Sequence, residues 1–224
     1  MVLKAENVGR QYFRQGKGRN VFYAVRNAEL VLQPGSLTEI TGRSGSGKST
    51  LLNMLAGLLE PTEGRVLLDD TDLYALPDKE RSRLRNAAFG VVPQGQTGLV
   101  SLTVRENVLL PARMYETPPE AEKRAAELLE KVGIAPLADV YPGELSGGEM
   151  RRMFIARALM MRPGVLLADE PTGDLDDENT KTVLSLLRDC ADEGLAVLLV
   201  THEKEAAAYA DRHYRMDGGS LWEE

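Results

Sequence analysis

Leu37-Thr38-Glu39-Ile40-Thr41-Gly42-Arg43-Ser44-Gly45-Ser46-Gly47-Lys48-Ser49-Thr50 is the stretch that decides the fold. Leu37 to Thr41 reads as a short strand, and it runs straight into G-x-x-x-x-G-K-[ST] over Gly42 to Ser49. Glycines let successive backbone N–H groups converge on one oxyanion. A helix opening near Lys48 adds the positive end of its dipole. A strand before the loop and a helix after it are the context in which this pattern cradles phosphates. Lys48 is then placed to bridge β- and γ-phosphates and Ser49 to ligate Mg²⁺. Gly42, Arg43, Ser44, Gly45, Ser46, Gly47 and Thr50 make up the rest of the nucleotide-binding set.

Two further motifs stand at telling distances from this loop. Val165-Leu166-Leu167-Ala168 is an apolar run that reads as a buried strand, and Asp169-Glu170 follows at its carboxyl end. Open α/β sheets place their ligands at the carboxyl ends of strands. Asp169 is expected to hold the Mg²⁺ shell through water, and Glu170 to polarise the attacking water. About a hundred residues beyond the glycine loop, Ser146-Gly147-Gly148-Glu149 opens a helix. Its spacing is a capping box, with Ser146 as N-cap and Glu149 reaching back. Its glycines would also expose N–H groups to a phosphate at a helix N-terminus. The two readings agree.

The rest of the pattern alternates strands and helices around an all-helical stretch. Strands are expected at Val2–Val8, Val21–Leu32, Leu37–Thr41, Val66–Leu68 and Phe89–Val92, with a turn at Gln33-Pro34-Gly35. Lys48–Leu59 and Pro77–Asn86 read as helices. From Pro93-Gln94-Gly95 to Met161 the pattern is helical, over Thr103–Tyr115, Pro119–Val132 and Gly147–Met161. Alternation then resumes with strand 165–168, helix 178–190, strand 195–200 and helix 203–210. Tyr214–Met216 and Gly219–Trp222 form a hairpin around Asp217-Gly218. The expected fold is therefore α/β: a nucleotide-binding core over 1–92 and 162–224, with an α-helical subdomain inserted over 93–161.

Bulk properties narrow the class. A chain of 224 residues accommodates one domain with a subdomain. A net charge of −7 argues against a general nucleic-acid binder. One cysteine, Cys190, excludes an internal disulfide and fits a reducing compartment, and its apolar surroundings place it in the core. No apolar run approaches the ~20 residues of a membrane span, and the first residues do not read as a basic-then-apolar signal peptide. The expected location is the cytoplasm, with any membrane role exerted through a partner.

Leu145-Ser146-Gly147-Gly148-Glu149, followed by Arg152 and Ile155-Ala156-Arg157-Ala158-Leu159, resembles the signature motif of ABC-type ATPases. The resemblance extends over essentially the whole chain. Gln94 matches the Q-loop glutamine, Thr172-Gly173-Asp174-Leu175-Asp176 the D-loop, and His202 the switch histidine. Tyr12 fits the aromatic that stacks on adenine, although Phe13, Phe22 and Tyr23 offer π-faces nearby. The resemblance implies a P-loop core carrying an antiparallel β subdomain as well as the helical one. It also implies a head-to-tail homodimer enclosing two ATP molecules, each phosphate loop facing the other chain's Ser146, Gly147 and Gly148. Within that implied mechanism Glu170 positions water, His202 contacts the γ-phosphate, Gln94 senses Mg²⁺, and Asp176 communicates across the interface. A lone chain should then be nearly inactive.

Several stretches are similar to the subgroup of lipoprotein-releasing, macrolide- or peptide-exporting and cell-division ATPases: Ser49 to Leu58, Arg83 to Asn86, Leu102 to Val108 and Ala168 to Gly173. The resemblance thus implies a membrane permease, contacted near the Q-loop and the helical subdomain, with the chain peripheral on the inner face of the membrane and no nucleic acid bound. Two features depart from the pattern. Gly95-Gln96-Thr97-Gly98 replaces a bulky apolar stretch after Gln94, and Glu149 stands where glutamine is commoner. The alternative is a non-transport ABC ATPase of DNA repair or translation. The first would need a long insertion between loop and signature, and the second two motif sets in one chain.

Overall fold

The computed structural model describes residues 1–14, 20–95, 98–115 and 117–224. Gln96 and Thr97, from the unusual stretch after Gln94, lie outside the described residues. Two sheets share the work. Strands β1 (Leu3–Arg14), β2 (Asn20–Leu32), β4 (Glu63–Leu68) and β5 (Thr71–Asp72) form an antiparallel sheet in the order β2-β1-β4-β5. Strands β3 (Ser36–Thr41), β6 (Phe89–Val92), β7 (Val165–Asp169), β8 (Ala196–Thr201), β9 (Arg212–Asp217) and β10 (Ser220–Glu223) form the second, in the order β10-β9-β3-β8-β7-β6. Its pairs are parallel except for the terminal β9–β10 hairpin.

The middle of the six-stranded sheet is buried on both faces, which is why β7 and β8 are nearly continuous apolar runs instead of alternating. On one face Leu166, Ala168, Val197 and Leu199 join a core shared with helices α3 (Val104–Arg113), α4 (Ala121–Lys131), α5 (Gly147–Ala158) and α6 (Asp177–Asp192). On the other face Val165, Leu167, Ala196, Leu198 and Val200 pack with α1 (Lys48–Leu55) and the antiparallel sheet. Period 2 within each strand sorts neighbouring residues into different cores. Helix α2 (Asp78–Ala88) leads into β6. Cys190 is buried in the first core, and burial pushes its thiol up to about 11, so it acts as a small apolar side chain.

Local chemistry accounts for most element ends. α1 stops earlier than the expected Leu59: Gly57 N–H meets the Met54 carbonyl and Leu58 N–H the Asn53 carbonyl, the paired closure of a Schellman cap. Thr103 and Glu106 form a full capping box at the start of α3. The loop before it is anchored by buried Asn107, whose Nδ2 donates to the carbonyls of Leu99, Leu102 and Thr103 at 3.0–3.1 Å. β1 extends well past the expected Val8, to Arg14, because its pairing with β2 resumes beyond a bulge.

The expected helix over 203–210 is corrected to a 3₁₀ turn over Lys204–Ala208. The physical reason is distance. Only ten residues lie between β8 and β9, and these strands flank β3 on opposite sides, so the chain must cross β3 with little length to spare. The hairpin turn also lies one residue later than expected, with Gly218 and Gly219 at its centre and Asp217 paired to Ser220.

One ionisable group is buried in the strand that feeds the loop. Glu39 is 1% exposed, and its Oε2 lies 3.1 Å from His213 Nδ1 on β9. Burial holds its carboxyl above the ordinary range, against the pull of His213. A raised folded-state pKa means that the stability it gives is present at low pH and lost as the pH rises through that pKa. Glu39→Gln should therefore gain stability on the wild type progressively from pH 4 to pH 8, read as the difference in urea midpoints. A difference that stays constant across that range would exclude the buried charge as its cause.

Candidate nucleotide site

The glycine loop is held from two sides. A Cβ on Gly47, whose φ is +111°, would sit 2.1 Å from the Ala24 carbonyl of β2. A Cβ on Gly42 would sit 2.3 Å from the Met216 carbonyl of β9. Gly219 N–H also donates to the Ser46 carbonyl at 3.0 Å. The antiparallel sheet and the C-terminal hairpin thus fix the loop's path. Lys48 is 5% exposed, and its ammonium donates to the carbonyls of Gly42 at 2.7 Å and Arg43 at 3.1 Å. It is a preformed cation at the rim of a cavity of about 170 Å³. Nine of the described residues line that cavity: Ala24 from β2, Ser44, Gly45, Gly47, Lys48, Ser49 and Thr50 from the loop and α1, with Gln94 and Glu170 opposite.

The acidic side of the site is built at the end of β7. Asp169 is 7% exposed, its Oδ1 has no hydrogen-bond partner among the described residues, and Ser49 hydrogen-bonds to its carboxyl group. Burial pushes this carboxyl up, with the neighbouring charge of Glu170 adding to the effect. A half-satisfied buried carboxylate beside a hydroxyl is a hard oxygen pair, the donor chemistry that suits a divalent cation. Glu170 sits at φ +46°, in left-handed backbone that a non-glycine residue adopts at a cost of order 1–3 kcal/mol. Its N–H donates to the Val200 carbonyl at 2.8 Å. That geometry turns the carboxylate towards Lys48, whose Nζ is 4.0 Å from Oε1. Gln94 Nε2 donates to Oε2 at 3.2 Å, and His202 Nδ1 lies 3.5 Å from Oε1.

Gln94, Glu170, Lys48 and His202 therefore form one cluster, although they lie far apart in sequence. The sequence reading overlooked Arg151, which is 8% exposed within α5 and donates to the carbonyls of Pro93 at 3.3 Å and Gly95 at 3.0 Å. It clamps the backbone on either side of Gln94. A basic residue among Met150, Met153 and Phe154 on the buried face of α5 was the signal. Arg43 and His202 border a second, neighbouring cavity of about 520 Å³ beside His213 and Arg215.

The signature residues lie elsewhere. Ser146 caps α5 through the expected box, with Ser146 N–H to Glu149 Oε2 at 2.7 Å and Glu149 N–H to Ser146 Oγ at 3.3 Å. The bond from Ser146 N–H, together with a second from Ser146 Oγ to the same oxygen at 2.8 Å, holds the Glu149 carboxyl below its usual range. Asp176 is the N-cap of α6. None of Ser146, Gly147, Gly148 and Asp176 is among the nine residues lining the phosphate cavity. Tyr12 and Phe22 are cross-strand partners on one face of the β1–β2 hairpin, and Phe13 and Val21 on the other. The Arg10 guanidinium lies 5.0 Å from the centre of the Tyr12 ring. Tyr23 is covered by Arg26 and takes a hydrogen bond from Gln11.

The chain matches the ABC transporter family over residues 25–173. It belongs to that family. It is 43% identical to the lipoprotein-releasing system ATP-binding protein LolD of Pseudomonas syringae pv. tomato over 99% of this chain and 97% of the relative. Among solved structures it resembles the dimeric structure of MJ0796, described as a bacterial ABC transporter cassette, with a TM-score of 0.91, 36% identity and coverage of 99% of this chain and 97% of that one. A post-hydrolysis state of the same cassette bound to ADP and Pi gives a TM-score of 0.89 at 35% identity, covering 99% of this chain and 97% of that one. As an ABC cassette the chain is an ATP-binding ATPase of the P-loop α/β type.

The loop's confinement makes a direct test. Gly47→Ala would need both a disfavoured φ and a methyl overlapping the Ala24 carbonyl, so the loop must shift. Affinity for a fluorescent ATP analogue should fall at least tenfold, while circular dichroism keeps the native α/β signal. Undiminished affinity would show that the observed loop path is not needed for binding.

Proposed function

We propose that the chain is the ATP-hydrolysing subunit of a membrane ABC transporter and works as an ATP-dependent homodimer. One observation carries the reading: the phosphate cavity is lined by Lys48, Gln94 and Glu170 but by none of the signature residues. The exposed helix start at Ser146-Gly147 is then left to serve the nucleotide of a second copy. The MJ0796 structures, one dimeric and one dimeric after hydrolysis, support it.

Each residue takes a role that its chemistry suits. Tyr12 stacks on adenine, with Arg10 behind its ring. The backbone from Gly42 to Gly47, with Ser44, Ser46 and Thr50, cradles the phosphates, and Lys48 moves from its carbonyl partners to the β- and γ-phosphates. Ser49, Asp169 and Gln94 would hold Mg²⁺, which supplies neutralising charge when bound. Glu170, left free to accept a proton once Lys48 and Gln94 turn to the nucleotide, orients and polarises the attacking water. His202 steadies the γ-phosphate, and Asp176 meets the other copy. Charge developing on the γ-phosphate is stabilised from both chains, so neither alone is competent.

Residues 93–161 act as the moving helical subdomain, and Arg151 makes Gln94 follow its helix α5. The permease would dock in a cavity of about 200 Å³ between α2 and the helical subdomain, lined by Ser82, Arg85, Asn86, Met114, Tyr115 and Arg157 among others. No helix among the described residues is long and apolar enough to cross a membrane. The chain would sit on the inner face of the membrane through that permease and drive lipoprotein release, export or mechanotransmission, the first of which matches the name of the LolD relatives. The experiment is solution mass with Mg-ATP for wild type and Glu170→Gln. The variant should bind ATP, become a dimer and lose turnover by about 10²-fold or more. A strict monomer with fast wild-type hydrolysis would mean that one chain completes the site, and ordinary turnover by the variant would remove Glu170 from the water-activating role.

A further inference from the structure

The two signature glycines have a neighbour within their own chain. The D-loop and the start of α6 lie against them. A Cβ on Gly147 would meet Leu175 Cδ2 at 3.3 Å, and one on Gly148 would meet Asn179 Oδ1 at 2.0 Å and its Cγ at 2.5 Å. Asn179 occupies the space that a side chain at Gly148 would need. From there it reaches in two directions. Its backbone N–H donates to Asp176 Oδ1 at 2.8 Å, and its Nδ2 to both carboxylate oxygens of Asp176, at 3.1 and 2.9 Å. Its Oδ1 accepts from Arg152 Nη1 of α5 at 3.2 Å.

The N–H bond alone would be an ordinary helix cap. The amide bonds to Asp176, the acceptance from Arg152 and the seat over Gly148 do something else: they join the N-terminus of α5 to the N-terminus of α6. Hydrogen bonds to a charged group are the stronger ones, and Asp176 receives three from this one residue. We propose that Asn179 is a positioning residue that latches the D-loop to the signature turn, so that Ser146, Gly147 and Asp176 are presented to the second copy as one rigid jaw. This rests on the composite-site reading above. It also gives Gly148 a second reason to be glycine, since the latch seats only where no Cβ intrudes.

The latch touches neither the phosphate cavity nor Tyr12, so its loss should separate two steps that general destabilisation would damage together. In the Glu170→Gln background, Asn179→Ala should raise the protein concentration for half-maximal dimerisation in Mg-ATP about tenfold. Affinity of the dilute monomer for a fluorescent ATP analogue should be unchanged. With Glu170 intact, kcat at a fixed protein concentration should fall about tenfold at unaltered monomer affinity. Asn179→Asp provides a second variant. It keeps the shape over Gly148 and the acceptor for Arg152 but turns a carboxylate on Asp176, and it should weaken dimerisation at least as much. Dimerisation equal to the parent in either variant, or a loss matched by an equal loss of monomer nucleotide affinity, would overturn the latch. A Glu170→Gln parent that stays monomeric would instead remove the composite site, and the latch with it.

Discussion

The glycine loop between β3 and α1 is confined between two backbone carbonyls, those of Ala24 and Met216, at distances that no side chain could share. That confinement is the constraint on which the rest depends. It joins the antiparallel sheet, the parallel sheet and the C-terminal hairpin at one point, and it orients Lys48 while the ammonium is still satisfied by loop carbonyls. A buried cation without such partners would carry a large desolvation cost. Here the cost is offset before a nucleotide arrives, and the proposed transfer of Lys48 to phosphate exchanges one set of oxygen acceptors for another.

Opposite the loop the arrangement is deliberately less comfortable. Asp169 keeps a buried oxygen without a partner among the described residues, and Glu170 is held in left-handed backbone. Strain and unsatisfied polarity of this kind persist only where surrounding structure enforces them. The enforcing structure is β7 between β6 and β8, whose burial on both faces leaves the Asp169-Glu170 turn no room to relax. In the proposed mechanism that discomfort is relieved by cation, nucleotide and water, so binding energy is directed to the atoms that react.

The helical segment is tied to this centre, and organised within itself, by polar contacts as well as by packing. Arg151 grips the carbonyls around Gln94, Asn107 organises the loop from Leu99 to Thr103, and Asn179 joins the signature turn to the D-loop. Each is a polar side chain spanning two segments that hydrophobic packing alone would leave free to slide. Contacts of that type transmit displacement, because they define a position instead of merely favouring proximity.

The sequence by itself determined the kind of protein and most of its elements. The spacing from Gly42 to Lys48, the apolar run ending in Asp169-Glu170 and the Ser146–Glu149 box are local patterns whose meaning lies in backbone geometry and capping, so they are legible without a fold. Cys190 as a core residue and the span of β6 followed from the same local logic. The end of α1 at Leu55 and the 3₁₀ turn after β8 did not. The first depends on cap hydrogen bonds made beyond the apolar pattern, and the second on how far the chain must travel across β3. Only the tertiary structure brought Gln94, Glu170, Lys48 and His202 into one cluster, seated Arg151 on the Q-loop backbone and placed Asn179 over Gly148. Those contacts join residues tens of positions apart, and no periodicity encodes them, because their partners are set by strand order and helix packing instead of spacing along the chain.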